Sequence, residues 1–476
     1  MNLRSKAIFL RRVIYFSLIA GGAFLLNCEK AHAADKLVLL SPHWEGIRYE
    51  FERGFKRFYR DETGRDVEFE WLDVGGTSEM LRFIRSEFTS KPAGIGIDVI
   101  FGGGLDPYLV LESANLLEPY RLPEPLLSKI PPRLSGFHLY DPGYRWYGAT
   151  LAGFGIVYNK VVLNLLKLPV IATWEGLALP AVFSWVGSAD PRKSGSVHMM
   201  YEIILQAYGW EKGWQIITGL GANVRNFTGA ASQVPKDVTI GEVAYGLAID
   251  FYAWAQIDEA GADKIGFVMP ENLTIINPDC IAILKGAPNR DVAQSFVRFV
   301  MSEPGQKLWL LPARSPAGPE RYALNRFSVL PSLYGAAQGG AVKLNPFSWK
   351  SDFSFDSKLG SERWGIVNDL IGALIIDQKD MLARAWKAAI AGGLTDDEWQ
   401  RLAAMPVSDR EALEFARTRW RDPAFRNQKL NEWVQFARAK YGRDLKPPLI
   451  RSEWLSLFTF AVIALGIFVY SCKRSG

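Results

Sequence analysis

The chain has 476 residues, 49% of them hydrophobic and 22% charged. Its net charge of +5 belongs to its ends: residues 1–33 hold a net +4 and Lys473 with Arg474 add two, which leaves about −1 between them. A nucleic-acid role therefore has no electrostatic footing. Of three cysteines only Cys280 lies between the terminal segments, so an intrachain disulfide there has no partner and stability must come from buried cores. Some 400 intervening residues exceed one ordinary domain and predict two or more lobes.

Residues 1–33 carry Arg4, Lys6, Arg11 and Arg12, an uncharged run over 13–26, then Ala31-His32-Ala33. This is the layout of an export signal cut after Ala33. The same run can also stay uncut as an anchor, although about 14 apolar residues suit a signal better than a span. Strands and helices then alternate. Residues 37–40 form a short apolar strand ending at Ser41-Pro42. Phe51, Phe55, Phe58 and Tyr59 share one helix face, closed by Gly64. Val67, Phe69 and Trp71 alternate with glutamates as in a half-exposed strand. Thr77 or Ser78 caps a helix, residues 97–101 form a strand running into Gly102-Gly103-Gly104, and Asp106-Pro107 opens the next helix. This rhythm predicts an open, mostly parallel sheet covered by helices.

The middle repeats the style, with strands over 155–158, 181–186, 247–253 and 280–284 and helices over 195–208 and around Val292, Phe296 and Phe299. Residues 364–389 and 394–443 are again helical. Residues 455–471 then form an uncharged run of 17, followed at once by Lys473 and Arg474. That length is just enough for a membrane-spanning helix, and the trailing cations favour a cytoplasmic C-terminus. A buried core helix is the duller alternative for this run.

In open sheets, ligands collect beyond the carboxyl ends of strands, where loops lead into helix N-termini. Four loops have the right make-up: 41–44, the glycine run 102–104, 190–196 and 226–231. The third, with its hydroxyls and free N–H groups ahead of a long helix, suits an anion. Each has a plainer reading as a turn, a cap or a satisfied loop residue. Enzyme signatures are absent: His43, His138 and His198 show no metal-type spacing, and no G-x-S-x-G or phosphate-loop motif occurs.

Several segments, in order, resemble the periplasmic solute-binding proteins of ABC importers, in the group around ferric-ion uptake. They are LLSPHWEGI, GIDVIFGGGLDPYLVLESANLLEPY, TWEGL, SADPRKSGSVHMMYEIILQAYGWEKGW and PDCIAILKGAPNRDVAQSFVRFVMSEPGQKL, within residues 36–312. Helical stretches such as SERWGIVNDLIGALIIDQKD extend the resemblance toward 440. It implies a two-lobe α/β fold of the type II binding-protein class, closing on a ligand by hinge motion. Residues 34–148 would begin lobe 1, 149–270 form lobe 2, and 271–443 return to lobe 1 and add a helical region. A linker at 444–454, the span 455–471 and a tail at 472–476 complete the chain.

By that resemblance the ligand contacts would be Ser41, His43, Gly103, Gly104, Ser194, Gly195 and Thr228, completed by Asp250 and Tyr252. Iron-binding members supply a tyrosine pair with a histidine and an acid. Here Tyr252 is followed by Ala253 and Trp254, and the acidic position falls in the glycine run. A small anionic or phosphorylated solute suits the Ser194-Gly195 helix end better, and neither metal nor cofactor is expected. The implied role is a membrane-tethered extracytoplasmic receptor, delivering its ligand to an ABC permease without covalent chemistry. A ligand sensor working through a membrane signalling partner, or an extracytoplasmic hydrolase, are the alternatives.

Overall fold

A computed structural model describes residues 34–335 and 342–443. The export segment 1–33, the linker 444–454, the spanning run 455–471 and the tail 472–476 lie outside the described residues. Among the described residues no helix is long and apolar enough to cross a membrane.

The strands, in chain order, are β1 (Asp35–Leu40), β2 (Val67–Leu72), β3 (Val99–Phe101), β4 (Leu117–Glu118), β5 (Arg133–Leu134), β6 (Phe137–His138), β7 (Tyr147–Asn159), β8 (Val186–Ala189), β9 (Val224–Thr228), β10 (Tyr245–Ile249), β11 (Ile265–Val268) and β12 (Ile276–Leu284). β1 lies between β2 and β3, all parallel. Helix Glu45–Thr63 covers them with Phe51, Phe55 and Tyr59 buried, and Gly64 ends it in the left-handed region at φ 70°. The helix Gly195–Tyr208 has the predicted bounds, and Ser194 Oγ accepts the Val197 N–H as its cap.

The 13-residue β7 organises the rest. Its first half, Tyr147 to Gly153, pairs antiparallel with β12. From Phe154 to Tyr158 it pairs instead with β10, and β11 joins its other edge. One strand thus belongs to two lobes, and it changes partner between Gly153 and Phe154. The switch is tied down on both sides. Asp250 Oδ2 accepts the Gly153 N–H at 2.8 Å, and Thr274 Oγ1 donates to the Phe154 carbonyl at 2.8 Å. In the second lobe, β10 runs parallel to β8 and β8 to β9.

The fold is therefore a two-lobe α/β fold of the periplasmic-binding-protein type, but the expected mostly parallel sheet is in fact mixed. The wings are parallel, whereas β7 and β12 run antiparallel because they carry the chain to and from the second lobe. Two local expectations also shift. Residues 181–186 do not form the strand expected: a 3₁₀ turn occupies Pro180–Val182, where proline withholds an N–H, and β8 starts only at Val186. The extended run expected over 247–253 stops at Ile249. There the Asp250 carboxylate accepts the Phe251 N–H at 2.7 Å and starts helix Asp250–Ala260.

One core surrounds Phe51, Phe101, Phe296 and Trp309, and another gathers Trp174, Tyr201, Trp214 and Tyr245. The C-terminal helices, Ser357–Ile371, Lys379–Ala391, Asp396–Ala403, Asp409–Thr418 and Pro423–Gly442, extend this second core through Trp386 and Trp433. They attach to the second lobe by buried polar bonds. Arg363 Nη2 meets Glu202 Oε1 at 2.8 Å, His198 Nδ1 lies 2.8 Å from Asn368 Oδ1, and Trp386 Nε1 donates to Asn223 Oδ1 at 2.9 Å. Helix Ser357–Ile371 also rests on helix Asp106–Ser113 of lobe 1. Arg363→Met would leave the Glu202 carboxylate buried and unpaired, and urea denaturation is expected to show a loss of about 3–5 kcal/mol. Replacing both residues by Met should recover most of that loss. A single variant as stable as the parent would show that this pair does not hold the helices in place.

Candidate ligand-binding cleft

Loops from both lobes converge on a cleft of about 450 Å³. Lobe 1 contributes His43 and Trp44 after β1, Gly76 and Thr77 after β2, Gly103 and Gly104 after β3, and Asn277 and Asp279 of β12. The second lobe contributes residues 193–196 and 229–232 together with Phe251 and Tyr252. Trp364 enters from the C-terminal helices. Helices Thr77–Ser90, Asp106–Ser113, Gly195–Tyr208 and Asp250–Ala260 all start at this cleft, so their positive dipole ends point into it.

Of the residues singled out in the sequence, His43, Gly103, Gly104, Ser194, Gly195 and Tyr252 line this one cleft. The other three do not. Ser41 is buried behind it, its Oγ accepting the His43 N–H at 3.1 Å. Thr228 ends β9 and turns its hydroxyl to the Ala230 carbonyl at 2.9 Å. Asp250 is fully buried at the lobe crossing, where it accepts the two N–H groups already described. Burial pushes its carboxyl up to about 7 against those hydrogen bonds.

The centre of the lobe 1 wall is Asp279. Its Oδ1 accepts the Gly104 N–H at 2.7 Å, and its Oδ2 accepts from Arg326 Nη2 at 2.7 Å, with His43 Nε2 at 3.3 Å. Arg326 is wholly buried and its guanidinium lies 4.2 Å from the centre of the Phe251 ring, on the opposite lobe. Burial alone would raise the Asp279 carboxyl, but the Arg326 charge and the His43 bond hold it well below the usual range. For His43 burial dominates: it pushes the imidazole pKa down despite Asp279, so the pair is a hydrogen bond to a neutral ring. The glycine run is demanded by this geometry. Gly102, Gly103 and Gly104 have φ of 92°, 99° and 83°, and a Cβ on Gly102 would stand 2.4 Å from His43 Nε2.

The remaining charge is sparse. Asp73 pairs with Arg48 at 2.7 Å. Burial, then the nearby Glu202 charge, pushes the Asp106 carboxyl up to about 7. Lys193 has no ion-pair partner among the described residues. The lobes touch at the mouth, where a Cβ on Gly76 would lie 2.2 Å from the Lys193 carbonyl oxygen. Among the described residues no cluster of three or more His, Cys, Asp or Glu could hold a metal ion. Tyr252 stands between Phe251 and Ala253 with no second phenol beside it in the chain.

Comparison with known proteins agrees with this architecture. The family model "Bacterial extracellular solute-binding protein" matches residues 97–328. Phosphoglycerate transport regulatory protein PgtC of Salmonella typhimurium is 26% identical over 158 residues, 33% of this chain and 39% of that protein. The match thus spans about two fifths of that relative's length. Iron uptake protein A1 of Synechocystis sp. is 25% identical over 321 residues, 63% of this chain and 83% of the relative. The solved periplasmic binding protein P5PA superposes with a TM-score of 0.59 at 19% identity, covering 72% of this chain and 99% of its own. The chain is thus similar to extracellular solute-binding proteins, and the family match ends before the C-terminal helices.

Sequence reasoning missed Asp279, Arg326 and Trp364. Asp279 had a weak signal, an acid leading straight into a buried strand. Arg326 and Trp364 had none, because what places them is a distant partner. The neutral His43 has a consequence for stability. Its folded pKa lies below the ordinary 6.5, so below about pH 6.5 the unfolded chain binds a proton the folded one refuses. Stability therefore falls on acidification, by up to about 1.4 kcal/mol per pH unit from this group. In His43→Gln, the dependence of urea unfolding on pH below about 6.5 is expected to become shallower. An unchanged slope would mean that His43 is charged in the fold.

Proposed function

We propose that this protein is an extracytoplasmic solute-binding protein that holds a small anionic ligand, with a phosphorylated solute the best fit, between its lobes. In this reading it stays tethered to the membrane by the apolar segment 455–471 and hands the ligand to an ABC permease. The observation that carries the proposal is the convergence of helix N-termini from both lobes on a cleft whose lining cation Lys193 has no ion-pair partner among the described residues. Its carboxylates are matched by Arg48 or Arg326, or pushed toward neutrality at Asp106. A ferric ion would need a cluster of oxygen and nitrogen ligands, and His43 Nε2 is already engaged by Asp279. A polyamine would need free carboxylates. PgtC, by its name, concerns phosphoglycerate, which accords with a phosphorylated ligand.

The mechanism is closure about the β7 crossing, with ligand bonds to both walls favouring the closed arrangement. No bond is made or broken in the solute. A second reading, a sensor that reports ligand to a membrane partner, is favoured by the regulatory role in that relative's name. Uptake of labelled ligand lost on deletion of the protein supports delivery, whereas unchanged uptake with altered transcription supports sensing.

Native mass spectrometry of the purified full chain is expected to reveal a bound anion, whereas a ferric ion or a polyamine in its place would contradict the proposal. Gly76→Ala is expected to weaken that ligand at least tenfold, because its backbone φ of −74° suits alanine while the new methyl meets the Lys193 carbonyl only when the lobes close. Thermal stability without ligand should stay near the parent value. Unchanged affinity by calorimetry would mean that ligand binding does not require this closed contact.

A further inference from the structure

Behind the cleft lies a second cavity, of about 890 Å³, which shares Thr77, Asp106 and Trp364 with it. One wall is lobe 1, where helix Thr77–Ser90 carries Arg82 and Arg85. The facing wall is the C-terminal helical body, with Lys358, Arg417, Arg421 and Arg426. Two of these cations are matched within the fold. Arg417 Nη2 donates to Glu362 Oε2 at 2.6 Å, and Arg426 donates to both oxygens of Asp369 at 2.6 and 2.8 Å. The side chains of Arg82, Arg85, Lys358 and Arg421 have neither hydrogen-bond nor ion-pair partners among the described residues. Like charges facing across a gap repel; of the carboxyl groups lining the groove, Glu362 is taken up by Arg417 and burial pushes Asp106 up to about 7. Its floor is apolar, formed by Leu81, Ile366 and Trp420.

We propose that this groove is a second binding site, for a small multivalent anion of the polyphosphate or polycarboxylate class that bridges lobe 1 and the C-terminal helices. The volume lies within the roughly 300–1,000 Å³ of small-ligand sites. Arginine forks on both walls suit the paired oxygens of phosphate or carboxylate groups, and a compact anion with several charges reaches both walls at once. The C-terminal helices are fixed to the second lobe by the Glu202–Arg363 pair, so an anion tying Arg82 and Arg85 to Lys358 and Arg421 also ties lobe to lobe. Its binding is then linked, in both directions, to closure of the main cleft. The proposal does not depend on which solute the main cleft takes.

The test is calorimetric titration of the full chain in detergent with inorganic pyrophosphate at constant ionic strength, in the parent and in a Lys193→Gln background that weakens any binding in the main cleft. Binding of one pyrophosphate is expected to survive Lys193→Gln. It should weaken at least tenfold in Arg82→Gln with Arg85→Gln, and again in Lys358→Gln with Arg421→Gln. A control pair of exposed arginines outside the groove, Arg410→Gln with Arg438→Gln, should change little. Binding abolished by Lys193→Gln alone would place the anion in the main cleft and overturn the proposal. Unchanged affinity in either groove pair, or equal weakening by the control pair, would overturn it as well. Failure here leaves the reading of the main cleft standing, since the two rest on different cations, Lys193 in the cleft and Arg82, Arg85, Lys358 and Arg421 in the groove.

Discussion

One carboxylate holds the site together. Asp279 stands within the wholly buried strand β12, and three separate loops are referred to it: Gly104 after β3, His43 after β1, and Arg326 from the segment that follows the strand-and-helix core of lobe 1. A buried ion pair of this kind is weak evidence for stability, because desolvation of both charges offsets most of their attraction. Losing one partner is another matter, since it leaves an uncompensated charge in the interior. The pair therefore acts as a register device: the loops have one arrangement in which every charge is met. Arg326 carries that constraint across the cleft, since its flat face lies on Phe251 of the opposite lobe.

The same economy appears at the lobe crossing. Asp250 starts a helix with one oxygen and grips the Gly153 amide with the other, at the residue where β7 exchanges β12 for β10. A Cβ on Gly153 would stand 2.8 Å from Met269 Sδ, so a larger residue there would have to displace the end of that methionine. The crossing is thus narrow and firmly bonded, which suits a hinge that turns about a few backbone torsions. The C-terminal helices complicate a simple clamp. They ride on the second lobe through buried bonds, yet Ser357–Ile371 touches lobe 1 and Trp364 enters the cleft, so opening must also part this second contact.

Much of the frame was readable from the residues because its causes are local. Phe51, Phe55 and Tyr59 mark a helix face by spacing alone, and Ser194 announces its helix by capping it. The strand-end loops were readable for the same reason, and six of the nine residues chosen from them line one cleft. What escaped is set by partners far away in the chain. Residues 155–158 hinted at a strand, but β7 runs to thirteen residues, buried almost throughout, and shows no alternation that would reveal its length or its antiparallel neighbours. Asp250 reads as a ligand contact because it follows a strand, but its bond to the Gly153 amide at the lobe crossing is made 97 residues away in the chain. Arg326 lies 47 residues from Asp279, beyond any motif.

The central claim is that the two lobes close about the β7 crossing on a solute held between them. Pulsed electron resonance between spin labels at Ser90 on lobe 1 and Ile240 on the second lobe, with Cys28→Ser and Cys472→Ser to keep labelling specific, measures that motion directly. The account predicts a longer or broader distance distribution in ligand-free protein, collapsing to one shorter distance when the co-purified solute is restored. A single distance that ignores the solute would contradict it.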